Sequence, residues 1–250
     1  MPLPPGPRNG VALTKPEVAR CSICQDAGYL RASVPIGHPS FGRLFACDCK
    51  KLELERRRSL ELQELSNLDA FASSTFEDFD QSVPGSAQAF QAANAFASDP
   101  TGWLFLYGPC GIGKTHLAVA IAKRLVASGT TVYFAVVPDL LDHLRATFDP
   151  SSGVAYDHRF TAIRNAPLLV LDDLGTENTT PWAREKLFQI INHRYNEQLP
   201  TVLTSNQDHK RIEERILSRI LDQRLTTFVD IDAEDFRRPF GPRKLRTPKR

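Results

Sequence analysis

No apolar run in these 250 residues is long enough to cross a bilayer, which takes about 20 consecutive apolar residues in a helix. The opening Met1-Pro2-Leu3-Pro4-Pro5-Gly6-Pro7 lacks the apolar centre of a secretory signal and reads as a flexible tail. Both absences argue against membrane residence or secretion and lead to the expectation of a cytoplasmic chain. A surplus of one charge is missing too: 31 Lys and Arg against 29 Asp and Glu leave a formal net charge of +2. No general affinity for polyanions follows, so any nucleic-acid contact must come from locally concentrated basic residues. No base-reading motif is present either. The 42% of apolar and 24% of charged residues are ordinary for a folded protein. The length suits one substantial domain plus a small one.

What is present is concentrated in a few segments. Gly108-Pro109-Cys110-Gly111-Ile112-Gly113-Lys114-Thr115 fits G-x-x-x-x-G-K-[ST]. The apolar run 103–107 before it reads as a buried strand, and from His116 onward Leu117, Ile121 and Leu125 repeat on one helical face. Strand, glycine loop and helix in that order make a phosphate cradle. The glycines let backbone N–H groups turn toward phosphate oxygens, Lys114 adds a point charge, and Thr115 offers a hydroxyl to magnesium. The segment 108–116 is therefore expected to hold a nucleoside triphosphate.

Cysteine is scarce at 5, yet four residues cluster as Cys21-x-x-Cys24 and Cys47-x-Cys49. In a cytoplasmic chain two close pairs point to metal rather than disulfides, and four thiolates close a structural zinc site with no open position for chemistry. Unrelated buried thiols are the plainer alternative, and His38 is a possible replacement ligand. Turns and short β-like pieces between the pairs suit a ribbon-type module. Residues 50–68, with Leu54, Leu62, Leu65 and Leu68, read as an amphipathic connecting helix. The expected organisation is a flexible tail over 1–19, a cysteine module over 20–50, a helical linker over 51–72, a nucleotide-binding domain over 73–236 and a basic tail over 237–250.

Downstream, strands and helices alternate, which predicts a parallel sheet covered on both faces. The run 168–173 is a buried strand ending in Asp172 and Asp173, at the sheet edge where such folds bind ligands. Asp172 is expected to hold magnesium and Asp173 to orient or deprotonate the attacking water. The alternative is that the two acids only cap the next helix. After the strand 201–205, Asn206 is placed to touch the γ-phosphate or the water. In the predicted helix 211–220, Ile212, Ile216 and Ile220 form a core stripe beside Arg211, Arg215 and Arg219. That face is either a solvated one paired with Glu213, Glu214 and Asp222, or it supplies an arginine finger to a neighbouring subunit. The run 237–250 is basic without one acid, and serves equally as a phosphate-contacting or a solubilising tail.

Together, GPCGIGKTHLAVAIA, LLVLDDLGTENTTPWAREKLFQIINHRY, LPTVLTSN and ERILSRI resemble the AAA+ ATPases of the bacterial replicative-helicase loader group (DnaC and DnaI type), close to the IstB-type transposition ATPases. The resemblance spans about Phe76 to Phe236. It implies an ASCE-type AAA+ sheet, ATP as nucleotide, Asn206 as sensor 1, and a finger in ERILSRI, with Arg219 favoured and Arg215 second. It also implies partners: a hexameric replicative helicase gripped by the N-terminal module, single-stranded DNA at the ATPase domain, and self-association through that domain. The chain departs from many AAA+ proteins in having Asp172-Asp173 rather than Asp-Glu, which implies slow hydrolysis. The short stretch after Ile231 also leads to the expectation that the usual helical lid is missing. A duplex-DNA transposition helper and a nucleotide-gated adaptor with vestigial hydrolysis are the alternative functions.

Overall fold

The computed structural model describes residues 20–146, 153–177, 180–206, 211–233 and 236. The expected tails over 1–19 and 237–250 lie outside the described residues. The chain divides into two compact units, one ending at Arg57 and the other beginning at Arg58.

In the smaller unit, β1 (Tyr29–Arg31) and β2 (Leu44–Ala46) form an antiparallel hairpin with Leu30 opposite Phe45. Cys21 and Cys24 sit on the turn before β1. Cys47 follows β2, and Cys49 lies in the first turn of α1 (Asp48–Glu64). The strand-to-helix junction explains the tight Cys-x-Cys spacing. The turn after Cys24 is unusual in placing Gln25 and Asp26 at φ of 49° and 66°. The Asp26 carboxylate accepts from the backbone N–H groups of Arg20 and Cys21, which holds the first cysteine in place.

The expected linker helix is shorter than its leucine pattern predicts. It stops at Glu64; Leu54 is exposed, Leu62 is fully buried, and Leu65 and Leu68 pack from beyond the helix end. Ser66 accounts for the break. Its hydroxyl accepts from the N–H of Phe134 at 3.1 Å, satisfying a backbone donor on an edge strand of the main sheet.

The larger unit is built on β3 (Trp103–Tyr107), β4 (Val132–Val136), β5 (Leu168–Asp172), β6 (Thr201–Ser205) and β7 (Thr226–Asp230). All pair in parallel, in the order β4-β5-β6-β3-β7. Alternate side chains of each strand enter separate cores, because successive residues on a strand point to opposite faces. Leu104, Leu106, Val132, Phe134, Leu168, Val170 and Val202 face one core with α2 (Ala87–Ser98) and α3 (Lys114–Ala127). Trp103, Phe105, Tyr133, Leu169, Leu171 and Leu203 face the other. That second layer is α4 (Val137–Ala146), α5 (Gly153–Arg164), α6 (Pro181–Asn196) and α7 (Glu214–Ile220). Nothing in the sequence reading anticipated α4 and α5. Helix α6 starts where Thr180 accepts from the N–H of Ala183 and Pro181 supplies the first turn.

One buried charge ties the far end of the sheet together. Arg194 is fully buried and donates to the carbonyls of Arg164, Ala166 and Pro200 and to the Thr201 hydroxyl. It joins the end of α5 to the start of β6, while the opposite, carboxyl edge of the strands is left for chemistry. Because β6 lies between β3 and β5, the glycine loop after β3 and the acids ending β5 flank a central strand.

Candidate functional site

The loop 108–113 leaves β3 at that edge and delivers the chain into α3. Gly108 and Gly113 have φ of 139° and 92°, in the range that disfavours side chains. A methyl on Gly113 would sit 2.7 Å from the Phe79 ring, and one on Gly108 would sit 2.5 Å from the Ile231 carbonyl. The loop is thus both turned and crowded where only glycine fits. It opens onto a cavity of about 520 Å³ lined by residues 110–116 together with Asp173 and Asn206.

Lys114 is buried, and its Nζ donates to the carbonyls of Gly108 at 2.8 Å and Pro109 at 2.6 Å. The ammonium bridges the ends of the loop it belongs to. Thr115 donates to the Asp172 carboxylate, its Oγ1 lying 3.0 and 2.9 Å from the two oxygens. Thr204, from the strand between, donates to Asp172 Oδ1 at 2.7 Å. Its hydroxyl also accepts from the N–H of Asp173 at 2.9 Å. One buried threonine therefore orients both acids. Burial pushes the Asp172 carboxyl above the usual carboxylate range, and the charge of Asp173 adds to this. The Thr204 and Thr115 hydroxyls and the Lys114 charge oppose it. Hard oxygen donors around a carboxylate short of positive charge suit Mg²⁺.

Asp173 occupies a left-handed conformation at φ 58°, a strain that turns its carboxylate into the cavity. Asn206 Nδ2 lies 3.2 Å from Cys110 Sγ and 3.5 Å from Asp173 Oδ1. Lys114, Thr115, Asp172, Asp173 and Asn206 thus come together from α3, β5 and β6.

The opposite wall of the cavity was not foreseen. It comes from the segment before α2, with Phe71, Phe79 and Val83 alternating with Ser73, Ser74, Asp78 and Asp80. His116 fastens this wall to α3: its Nε2 lies 2.6 Å from the Thr75 carbonyl, and its ring meets Phe79 edge-on. The sequence signal for it is the mixed aromatic and acidic run Phe76-Glu77-Asp78-Phe79 near the start of the nucleotide-binding domain.

The two candidate finger residues lie elsewhere. Arg215 and Arg219 stack on Phe188 at 4.3 and 4.8 Å from its ring centre. Arg219 donates to Asn192 and to the Arg215 carbonyl, and Arg215 pairs with Glu213. Neither is among the described residues lining the cavity. The expected stripe is corrected at one end: α7 begins at Glu214, so Arg211 precedes it. Asp222 pairs with Arg224 and Tyr195, not with the stripe.

The four clustered cysteines converge, their sulfurs all within 4.8 Å of one another. Cys21 and Cys47 are 3.8 Å apart, Cys24 and Cys49 3.3 Å. A tetrahedral site with metal–sulfur bonds of about 2.3 Å has edges of about 3.8 Å, so the tetrad fits such an ion. The backbone N–H groups of Cys24 and Ile23 draw the Cys21 thiol down to about 7. Cys49 is pushed up, first by its hydrogen bond with Cys24 and then by burial. Four thiolates this close need a cation among them. His38 is not part of this cluster, and its Nδ1 accepts from the N–H of Ser40.

Comparison with known proteins agrees with this geometry. The chain is 27% identical over 201 residues to the replicative helicase loader DnaI of Bacillus subtilis (strain 168), a match covering 74% of this chain and 64% of that protein. It is 25% identical over 178 residues to the replicative helicase loader DnaC of Escherichia coli (strain K12), covering 68% and 72%. The matched part is thus somewhat under two thirds of the DnaI relative's length. Among solved structures, a DnaC helicase loader superposes with a TM-score of 0.53 at 27% identity, over 63% of this chain and 96% of that one. AMPPCP-bound DnaA from Aquifex aeolicus superposes at 0.57 with 20% identity, over 66% and 52%, a likeness of fold. The fold is that of the AAA+ ATPases. A family model described as IstB-like ATP binding protein matches residues 46–237, and the chain belongs to that family.

Proposed function

We propose that this protein is a cytoplasmic, magnesium-dependent ATPase that loads or remodels a replicative DNA helicase and touches single-stranded DNA while doing so. The observation that carries the ATPase reading is the chain of contacts Thr115–Asp172–Thr204–Asp173 beside the glycine loop. On this reading the N–H groups of 111–115 and the start of α3 hold the β- and γ-phosphates. Lys114 exchanges its loop carbonyls for phosphate oxygens. Thr115 and Asp172 hold magnesium, which neutralises charge on the transferred phosphoryl group. Asp173 orients the attacking water and accepts its proton, giving ADP and phosphate. Asn206, against Asp173, senses whether the γ-phosphate is present. The aspartate is one methylene shorter than glutamate and is already held by Asn206, which favours a slow, switch-like turnover.

Helicase loading rests on the named functions of the DnaI and DnaC relatives. It is supported by the smaller unit, where Ile23, Tyr29, Ile36, Phe41, Leu44 and Phe45 all remain exposed on a small cysteine-pinned hairpin. So much apolar surface on so small a unit suits a docking role. Zinc is the metal proposed for its four thiolates. Arg219, with Arg215 second, is proposed to complete the nucleotide site of a neighbouring copy. No helix among the described residues is long and apolar enough to cross a membrane.

The IstB-like family match favours one second reading, a transposition helper that assembles on duplex DNA. ATP turnover measured with single-stranded or duplex DNA separates the two. The loader reading expects single strands to stimulate more strongly. It also expects Lys114→Ala to weaken labelled-ATP binding by about 10- to 100-fold, the loss of a hydrogen bond to a charged partner. Full affinity in that variant would remove the site assignment, and a preference for duplex would favour the transposition helper.

A further inference from the structure

The chain beyond β7 does not simply leave the sheet. The N–H of Ile231 donates to the Tyr107 carbonyl at 2.8 Å, carrying the pairing with β3 up to the start of the glycine loop. The Ile231 carbonyl then passes so close to Gly108 that a methyl there would lie 2.5 Å from it. The Asp232 carbonyl crosses Gly85 even more closely, at 2.0 Å from a methyl built on that glycine, whose φ is 84°. Gly85 lies in the turn before α2, between the wall residues Val83 and Ser86. Further on, the N–H of Phe236 donates to the carbonyl of Gly111, within the glycine loop, at 2.9 Å, and the Phe236 side chain lines the cavity. The described residues 231–233 and 236 therefore run between the two walls of the nucleotide site and touch both.

From this we infer that the described residues 231–233 and Phe236 act as a strap belonging to the nucleotide site, with Phe236 acting as a positioning residue for bound ATP. Its N–H fixes the Gly111 carbonyl outward, so that the neighbouring N–H groups of the loop keep facing the cavity. Its ring closes a side of the cavity that the sheet and α3 leave open, facing the apolar wall of Phe71 and Phe79. The strap thus supplies cover from the protein's own chain. The inference rests on the reading of the cavity as an ATP site.

Phe236 is 63% exposed, so replacing it leaves the core intact. The test is the affinity for a fluorescent ATP analogue in magnesium buffer, measured on the full chain and on Phe236→Ala, Phe236→Tyr and Lys114→Ala. The strap predicts that Phe236→Ala weakens binding about 3- to 10-fold at unchanged melting temperature, and that Phe236→Tyr restores it. Gly85→Ala, which wedges the strap from its other side, gives the same direction through a residue outside the glycine loop. Wild-type affinity in Phe236→Ala, with Lys114→Ala defective, overturns the strap and leaves the site reading standing. Failure of the unaltered protein to bind the analogue overturns the site reading itself.

Discussion

At the residue scale the decisive fact is that Asp172 is buried with two hydroxyl donors and a lysine close by, yet without an ion pair. Its folded value lies above the unfolded carboxylate value of about 3.9, so the protonated form favours folding. In the protein without nucleotide, stability is therefore full below about pH 4 and declines as the pH rises through the raised value. Asp172→Asn removes that slope. At pH 7 to 8 the variant should melt higher than the unaltered protein, yet gain nothing from magnesium-ATP. A variant that melts lower than the parent, or that is still stabilised by magnesium-ATP, contradicts this account. The acids, Lys114, Thr115 and Asn206 were legible because glycine loops and strand-end carboxylates have fixed spacing. Thr204 and the wall from Phe71 to Val83 were not, since hydroxyls and phenylalanines occur in any core and only tertiary contact gives them a role.

At the scale of elements, the β-strands were the easiest to read. Short runs such as 103–107 and 201–205 matched the strands residue for residue; the first is apolar throughout because it is covered on both faces, while the second buries Thr201, Thr204 and Ser205 beside Val202 and Leu203. Helices α4 and α5 escaped because the sequence reading passed over the stretch after β4, where Pro138 interrupts the pattern. The linker leucines misled for a different reason: Leu65 and Leu68 are partly buried from beyond the end of α1, Leu65 from a turn and Leu68 from a short 3-10 helix, once Ser66 has capped the edge strand. The cysteine hairpin has two three-residue strands and exposes most of its large apolar side chains, so under the zinc proposal its fold depends on the ion held by the four sulfurs. Purified protein should carry zinc in equal proportion to chain by elemental analysis. Cys47→Ser should lose the metal and the hairpin's protection from proteolysis while ATP binding by the larger unit persists. Equal protease resistance with and without a strong chelator would show that the thiols are merely neighbours.

For the molecule as a whole, the arginine pair on α7 carries the clearest consequence. Arg215 and Arg219 rest on Phe188 and do not line the cavity of their own chain, so a contribution to hydrolysis requires a second copy. Arg219→Ala should leave ATP affinity unchanged but slow turnover by roughly 10³-fold in the assembled state, the lower end of what an arginine finger contributes. Turnover that is unaffected by the substitution, or independent of protein concentration, assigns the pair to structural packing. The segments that made the resemblance to helicase loaders legible all lie in the larger unit. The partner, by contrast, is chosen by surfaces that no motif describes. Native mass and co-elution of this protein with the replicative helicase, in the presence and absence of magnesium-ATP, therefore test the central claim most directly. The account predicts a complex of defined stoichiometry that depends on the intact cysteine hairpin and changes with nucleotide. No complex under either condition would contradict helicase loading.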